Sequence, residues 1–176
     1  MGCMKDTRLT MLITLLLCVG LGTGLTYVDQ YDISEELSGM GVDANANIYT
    51  TSLYHCIRAL SPTFSKSTVV FGTCWTESSA NDKLWEPHDV AADADGNLYI
   101  ADLGNGRIMK VNELGSFVDK FEGEGCTSCI GEPSSIVVLP SGNIVYGDLV
   151  AGALVELTPS LTYVSKTDVG GLIREP

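Results

Sequence analysis

Glu86 to Val111 reads EPHDVAADADGNLYIADLGNGRIMKV, and the same pattern returns on either side of it. It recurs as EPSSIVVLPSGNIVYGDLVAGALVEL from Glu132 and, more loosely, as ELSGMGVDANANIYTTSLYHCIRAL from Glu36. The aligned glutamates are Glu36, Glu86, Glu132 and Glu175, spaced 50, 46 and 43 residues apart. Glu175-Pro176 therefore carries the first two letters of a fourth copy. Self-similarity at this period marks stacked or radially repeated units, none of which buries a core alone. The pattern speaks to architecture, and no residue cluster in it spells out a reaction.

The second copy resolves into strands. Val90-Ala91-Ala92-Asp93 is short, small and apolar. Asp95-Gly96 is a two-residue hairpin signal, because a primed turn needs positive φ at its centre. Asn97 to Asp102 is rich in β-formers, and Asn105-Gly106 is a second hairpin signal. Arg107 to Val111 and Phe117 to Phe121 alternate apolar and polar side chains. Glu113-Leu114-Gly115 turns between them. Four antiparallel strands in about 46 residues are the outline of a propeller blade. The strand nearest a propeller axis is crowded, which suits Gly41, Val42, Ala91 and Ala92. Pro87 and Pro133 are expected just before that strand, since proline has no N–H for a ladder. The first copy has Leu37 there.

The second copy resembles the NHL repeat. The resemblance rests on Pro87, Asp93, Gly96-Asn97, Ala101-Asp102 and Asn105-Gly106-Arg107-Ile108. The third copy keeps Pro133, Gly142-Asn143 and Asp148 but has Ala153 in place of the arginine. The first keeps Asp43 and Asn47 but has Ser52 in place of the strand-end aspartate. No Trp-Asp ends a unit and no double glycine recurs, so WD40 and kelch patterns fit less well. The resemblance implies an all-β chain: an incomplete β-propeller of about three four-stranded antiparallel blades over residues 25–176. Blade 1 is expected at about 31–74, blade 2 at about 85–125 and blade 3 at about 131–170, with a fourth beginning at 175–176. A closed ring has four to eight blades. Either a longer protein supplies the rest, or a homodimer closes a six-bladed ring.

The start of the chain has a different character. Lys5 and Arg8 precede an apolar run from Leu9 to Leu21, and Gly20, Gly22, Thr23 and Gly24 close it. Residues 1–24 read as a secretory signal peptide, with an uncleaved membrane anchor as the alternative. The run falls short of the roughly 20 residues a span needs, so cleavage and a secreted product are the preferred reading.

The net charge is −12. The leader contributes +1 of it (Lys5 and Arg8 against Asp6), which leaves the remainder more acidic still. Nucleic-acid binding depends on Lys and Arg neutralising phosphates, and this balance excludes it. Acidity keeps a secreted protein soluble; the functional alternative is attraction to basic ligands or calcium.

Four cysteines follow the leader: Cys56, Cys74, Cys126 and Cys129. A secreted context favours disulfides. Cys56 opens the third strand of blade 1 and Cys74 follows its fourth. A hairpin centred near Thr63 and Phe64 brings those positions to one end. Cys126 and Cys129 form a CxxC between blades 2 and 3. A redox role needs a thioredoxin-like βαβ unit and a zinc role needs two further ligands; neither is present. The expected pairs are Cys56–Cys74 and Cys126–Cys129.

His55 reads as a solvated turn residue. His88 follows Pro87 at the start of the innermost strand, where a side chain faces the central channel. Some six-bladed relatives of NHL propellers, notably the lyase domain of peptide-amidating enzymes, hold a metal on such residues. The equivalent positions here are Ser38 and Ser134, and a catalytic zinc needs three protein ligands. His88 is thus a metal candidate, for zinc or calcium, only with ligands from other blades. Asp102 and Arg107 read as a structural charge pair across a hairpin. The expectation is a scaffold that binds a protein or small-molecule ligand without a cofactor; the alternative is part of a metal-dependent lyase or lactonase.

Overall fold

The computed structural model describes residues 37–60 and 67–169. The leader at 1–24, the residues before Leu37 in blade 1, Glu36, the turn at Thr63 and Phe64, and Glu175-Pro176 lie outside the described residues.

Among the described residues, twelve strands form three four-stranded antiparallel sheets, each in simple sequential order. Blade 1 comprises β1 (Leu37–Val42), β2 (Ile48–Ser52), β3 (Cys56–Leu60) and β4 (Ser67–Gly72). Blade 2 comprises β5 (Pro87–Ala92), β6 (Leu98–Asp102), β7 (Arg107–Val111) and β8 (Phe117–Phe121). Blade 3 comprises β9 (Pro133–Val138), β10 (Ile144–Asp148), β11 (Ala153–Leu157) and β12 (Tyr163–Asp168). The inner strand β5 lies against both β1 and β9, so the sheets stack about that side as propeller blades do.

Several local expectations change. The first strand of blade 2 begins at Pro87 and ends before Asp93; Pro133 likewise opens β9. A strand's first residue is where a missing N–H costs least. Asp95-Gly96 is not a primed turn. Gly96 has φ +82° and Asp95 does not share the positive φ. Gly96 N–H bonds to the Asp93 carbonyl at 3.1 Å and Asp93 N–H to the Asn97 carbonyl at 3.0 Å, giving a three-residue loop. Asn105-Gly106 sits in a longer connection, a 3₁₀ turn at Leu103–Asn105 that ends on Gly106 at φ +58°.

The Asp93 side chain explains the first of these turns. Its Oδ1 accepts the N–H groups of Asp95 and Asn97 at 3.0 and 2.9 Å. Its Oδ2 accepts Asn97 Nδ2 at 2.8 Å and the Tyr99 hydroxyl at 3.2 Å. Asp43 does the same in blade 1 with Asn45, Asn47 and Tyr49, at 2.8–3.2 Å. The spacing D-x3-N-x-Y is thus a turn-fastening unit, visible in the sequence but not read from it. Burial alone would raise the Asp43 carboxyl, but the donors from Asn47, Asn45 and Tyr49 outweigh it and hold it below its usual range.

Blade 2 is buried on both faces, and its period-2 alternation sorts side chains between two cores. Val90, Leu98, Ile100, Met109 and Val111 join Ile57, Phe71 and Leu84 in one cluster. Ala91, Tyr99, Ala101 and Ile108 join Ile136, Ile144, Tyr146, Val155 and Leu157 in the other. Each such large apolar side chain contributes about 1.5–3 kcal/mol through burial. The expected apolar–polar alternation in Arg107–Val111 therefore fails: four of its five residues are buried. Between blades 1 and 2 the inner strands approach backbone to backbone. A Cβ at Gly39 would lie 2.5 Å from the His88 carbonyl oxygen, and one at Gly41 would strike the Val90 carbonyl. Val42, expected to share the crowding, is exposed.

Candidate functional site

The strand-end residues Ser52, Asp102 and Asp148 are fully buried and occupy one position in the three blades. Each organises the loops at that end of its sheet. Ser52 Oγ accepts the Tyr54 N–H at 3.2 Å. Asp148 accepts N–H groups from Gly131 at 2.6 Å and Ala151 at 2.8 Å. Asp102 accepts the Trp85 N–H at 2.8 Å, Asn105 Nδ2 at 2.9 Å and Arg107 Nε at 2.7 Å. Burial pushes the Asp102 carboxyl up, against the pull of those donors.

The residues paired with them across the hairpin are Cys56, Arg107 and Ala153, and the first two fasten the connector between blades 1 and 2. Cys56 is bridged to Cys74 with Cα atoms 4.9 Å apart. Arg107 donates to the carbonyls of Ser79, Ala80 and Lys83 at 2.8–3.1 Å. The pair expected across the hairpin is thus also a clamp on the chain leading into its own blade. Cys126 and Cys129 are bridged as well, Cα atoms 5.6 Å apart, and the Tyr146 hydroxyl donates to the Cys129 carbonyl.

This end of the sheets carries exposed apolar side chains. Trp75 is 71% exposed, and Trp85 and Val150 are exposed as well. The Trp75 ring stacks on Tyr54, with centroids 3.7 Å apart, and the Trp75 backbone N–H donates to the Tyr54 carbonyl at 2.7 Å. Trp75, His55 and Glu86 all have left-handed backbones, at φ +68°, +72° and +48°. Such strain costs roughly 1–3 kcal/mol per residue and clusters where function requires it.

His55 is correspondingly not a solvated turn residue. Its side chain is only 15% exposed. Nδ1 accepts the Glu86 N–H at 3.0 Å, and Nε2 lies 3.8 Å from the Glu77 carboxylate. A neutral ring with its proton on Nε2 satisfies both contacts. Nothing in the local sequence announces that link, because Glu86 is 31 residues away.

His88 sits where the sequence alignment puts it. The register of each inner strand shifts at one residue, and those residues are Ser38, His88 and Ser134. Bulges of this kind re-aim a side chain and recur beside functional sites. Ser38 Oγ donates to the Pro87 carbonyl at 2.7 Å, and Ser134 Oγ lies 3.4 Å from the Gly147 carbonyl. Among the described residues no three His, Cys, Asp or Glu side chains converge as a metal-binding set. Neighbouring Asp89, not singled out in the sequence, bridges the blades. Its carboxylate accepts Val90 N–H at 2.9 Å and Ile136 N–H at 3.0 Å. Burial pushes this carboxyl above its usual range despite those bonds. Its one sequence signal is an acid inside an otherwise small, apolar inner strand.

Residues 84–110 match the family model of the NHL repeat. That stretch contains β5, β6 and nearly all of β7, the strands that bear His88, Asp102 and Arg107. No curated protein matches the chain by sequence. Among solved structures it is similar to a catalytically inactive virginiamycin B lyase from Staphylococcus aureus. That likeness has a TM-score of 0.58 at 14% identity, over 81% of this chain and 44% of that one. It is also similar to a chain of a nidogen–laminin complex, with a TM-score of 0.59 at 17% identity, over 77% and 49%. A third is the hydrazine synthase of Kuenenia stuttgartiensis, with a TM-score of 0.56 at 12% identity, over 82% and 40%. At such identities the likeness establishes the fold: three antiparallel propeller-type blades. The chain spans less than half the length of each of these proteins.

Proposed function

We propose that this chain is the scaffold of a secreted NHL-type propeller that binds a partner through the connector end of blades 1 and 2. The observation that carries this reading is the exposed Trp75–Tyr54 stack. It stands on a left-handed backbone beside the Cys56–Cys74 bridge. An aromatic held rigid in solvent loses little entropy on binding and makes an efficient anchor. Exposed Glu77 and Glu86 flank it, which favours a partner segment with basic and apolar side chains. The two disulfides, and the absence among the described residues of any helix long and apolar enough to cross a membrane, accord with a secreted product. Panning a random peptide display library against the full chain tests this. Basic, apolar sequences should be enriched on the wild type and lost on Trp75→Ala, with an unchanged circular dichroism spectrum. Equal enrichment on both proteins defeats the reading.

A second reading, a metal-dependent lyase or lactonase, is favoured by the bulge that places His88 at the head of the inner strand. It needs ligands from other blades. Calorimetric zinc binding at micromolar concentration that disappears in His88→Ala would favour it over the scaffold.

A further inference from the structure

Trp85 is a second aromatic at the connector end, and the fold clamps it from two sides. Its backbone N–H donates to Asp102 Oδ1 at 2.8 Å, and its carbonyl accepts the Gly104 N–H at 2.9 Å. A Cβ built on Gly104 would lie 2.6 Å from the indole Cγ and 2.8 Å from Cδ2. The ring therefore rests on a residue that has no side chain to lift it, while Trp85 stays 41% exposed. Asp102 is itself fixed by Arg107 Nε at 2.7 Å. The buried ion pair of blade 2 thus does more than close a hairpin: it positions an indole in solvent.

The surroundings are acidic. Glu86, next in the chain, and Asp82 of the same connector are exposed. Gly106, two residues beyond Gly104, packs against the Gly131 carbonyl, which brings exposed Glu132 to the same junction. The cations of this region are engaged elsewhere: Lys83 donates to the Thr73 hydroxyl, and Arg107 is buried. An indole face attracts a cation more strongly than the other aromatic faces do. A guanidinium suits it better than an ammonium, because its plane stacks on the ring while its N–H edge stays free for carboxylates. We infer that Trp85 is the stacking platform for an arginine side chain of the partner segment, with Glu86 and Glu132 as its carboxylate acceptors. This role presupposes the binding function proposed for the connector end: Trp75 supplies the apolar contact there, and Trp85 supplies the choice of cation. Asp102 and Arg107 are then positioning residues, acting through Trp85.

Panning a peptide library in which arginine and lysine are equally frequent, on the full chain with its disulfides formed, tests it. Arginine should be enriched over lysine about tenfold at one position of the recovered sequences. Trp85→Leu keeps an apolar side chain but no ring face, and should abolish that preference with an unchanged circular dichroism spectrum. Trp85→Phe should restore part of it. On the wild type, arginine amide should displace the recovered peptides more effectively than lysine amide, a comparison that needs no variant to fold. Equal recovery of arginine and lysine on the wild type overturns the role of Trp85, as does an arginine preference that survives Trp85→Leu. If such peptides are nonetheless lost on Trp75→Ala, the Trp75 anchor stands and the Trp85 role alone fails. Equal enrichment on Trp75→Ala, with arginine preference lost on Trp85→Leu, has the opposite meaning.

Discussion

Arg107 Nε lies 2.7 Å from Asp102 Oδ2, and neither side chain reaches solvent: they are 1% and 0% exposed. The two charges are paired, but the arginine does more than neutralise. Its other nitrogens satisfy three carbonyls between Ser79 and Lys83, so the connector into blade 2 is stitched to the hairpin it leads to. Removing one partner of a buried pair costs about 3–5 kcal/mol, because the other charge stays buried alone. Arg107→Ala should therefore destabilise the chain by that amount in urea unfolding. It should also open residues 78–83 to limited proteolysis before the sheets unfold. A variant with wild-type protease resistance in this connector would show that the stitching is dispensable.

Asp43 makes a pH-dependent contribution whose sign is fixed by its contacts. Its folded pKa lies below the ordinary value of 3.8. A depressed carboxylate adds stability that is fully present above the unfolded pKa and is lost as pH falls through the folded one. The gap in urea midpoint between wild type and Asp43→Ala should be constant near neutrality. It should shrink as pH drops below 3.8. A gap that widens in acid would reverse the assignment.

The blade outline was legible because its signals are local. Asp93, Gly96, Asn97 and Gly106 are turn residues acting within a few positions of themselves, and the strands between them carry β-formers. What escaped the sequence depends on neighbouring blades. The burial of Arg107, the two-sided packing of β6 and β7, the Asp89 bridge to Ile136 and the His55–Glu86 link all join residues from different repeats or connectors. A single repeat read alone contains no information on what stacks against its second face. The candidate site follows the same division. His88 is the second residue of β5, directly after the Pro87 that marks the strand's start in the sequence. The Trp75–Tyr54 stack was missed, because it arises where a disulfide folds the connector back onto a turn.

That disulfide closes a loop with a sequence separation of 18. In the chain-entropy model such a crosslink contributes about 3 kcal/mol. Cys56→Ala/Cys74→Ala should lose about that much, and its Trp75 fluorescence should shift as the ring leaves Tyr54. Non-reducing peptide mapping should recover Cys56 with Cys74 and Cys126 with Cys129. Cys74 joined to either member of the other pair would contradict the connectivity.

The spacing of blades 1 and 2 is set by two glycines, and Gly41 isolates the effect. It sits in a regular strand with no positive φ, so alanine there meets no backbone strain of its own. What it meets is the Val90 carbonyl oxygen, with the Val90 carbonyl carbon and the Ala91 Cα close behind. All three are backbone atoms held in the β5 ladder, and none can swing aside as a side chain would. The two inner strands must separate, which loosens the cluster between Ile57, Phe71 and Val90. Overpacking of this kind costs about 1–3 kcal/mol. Gly152→Ala is the matching control: φ is +57° and a Cβ there meets nothing within 4 Å, so its cost is conformational, about 1–2 kcal/mol. The two variants should therefore lose similar stability but differ in kind. Hydrogen exchange in Gly41→Ala should speed up in β1 and β2 while blades 2 and 3 remain protected, whereas Gly152→Ala should affect only the turn after Asp148. Uniform loss of protection in Gly41→Ala would mean that the blades unfold as one unit and that the inner-strand contact does not govern where they part.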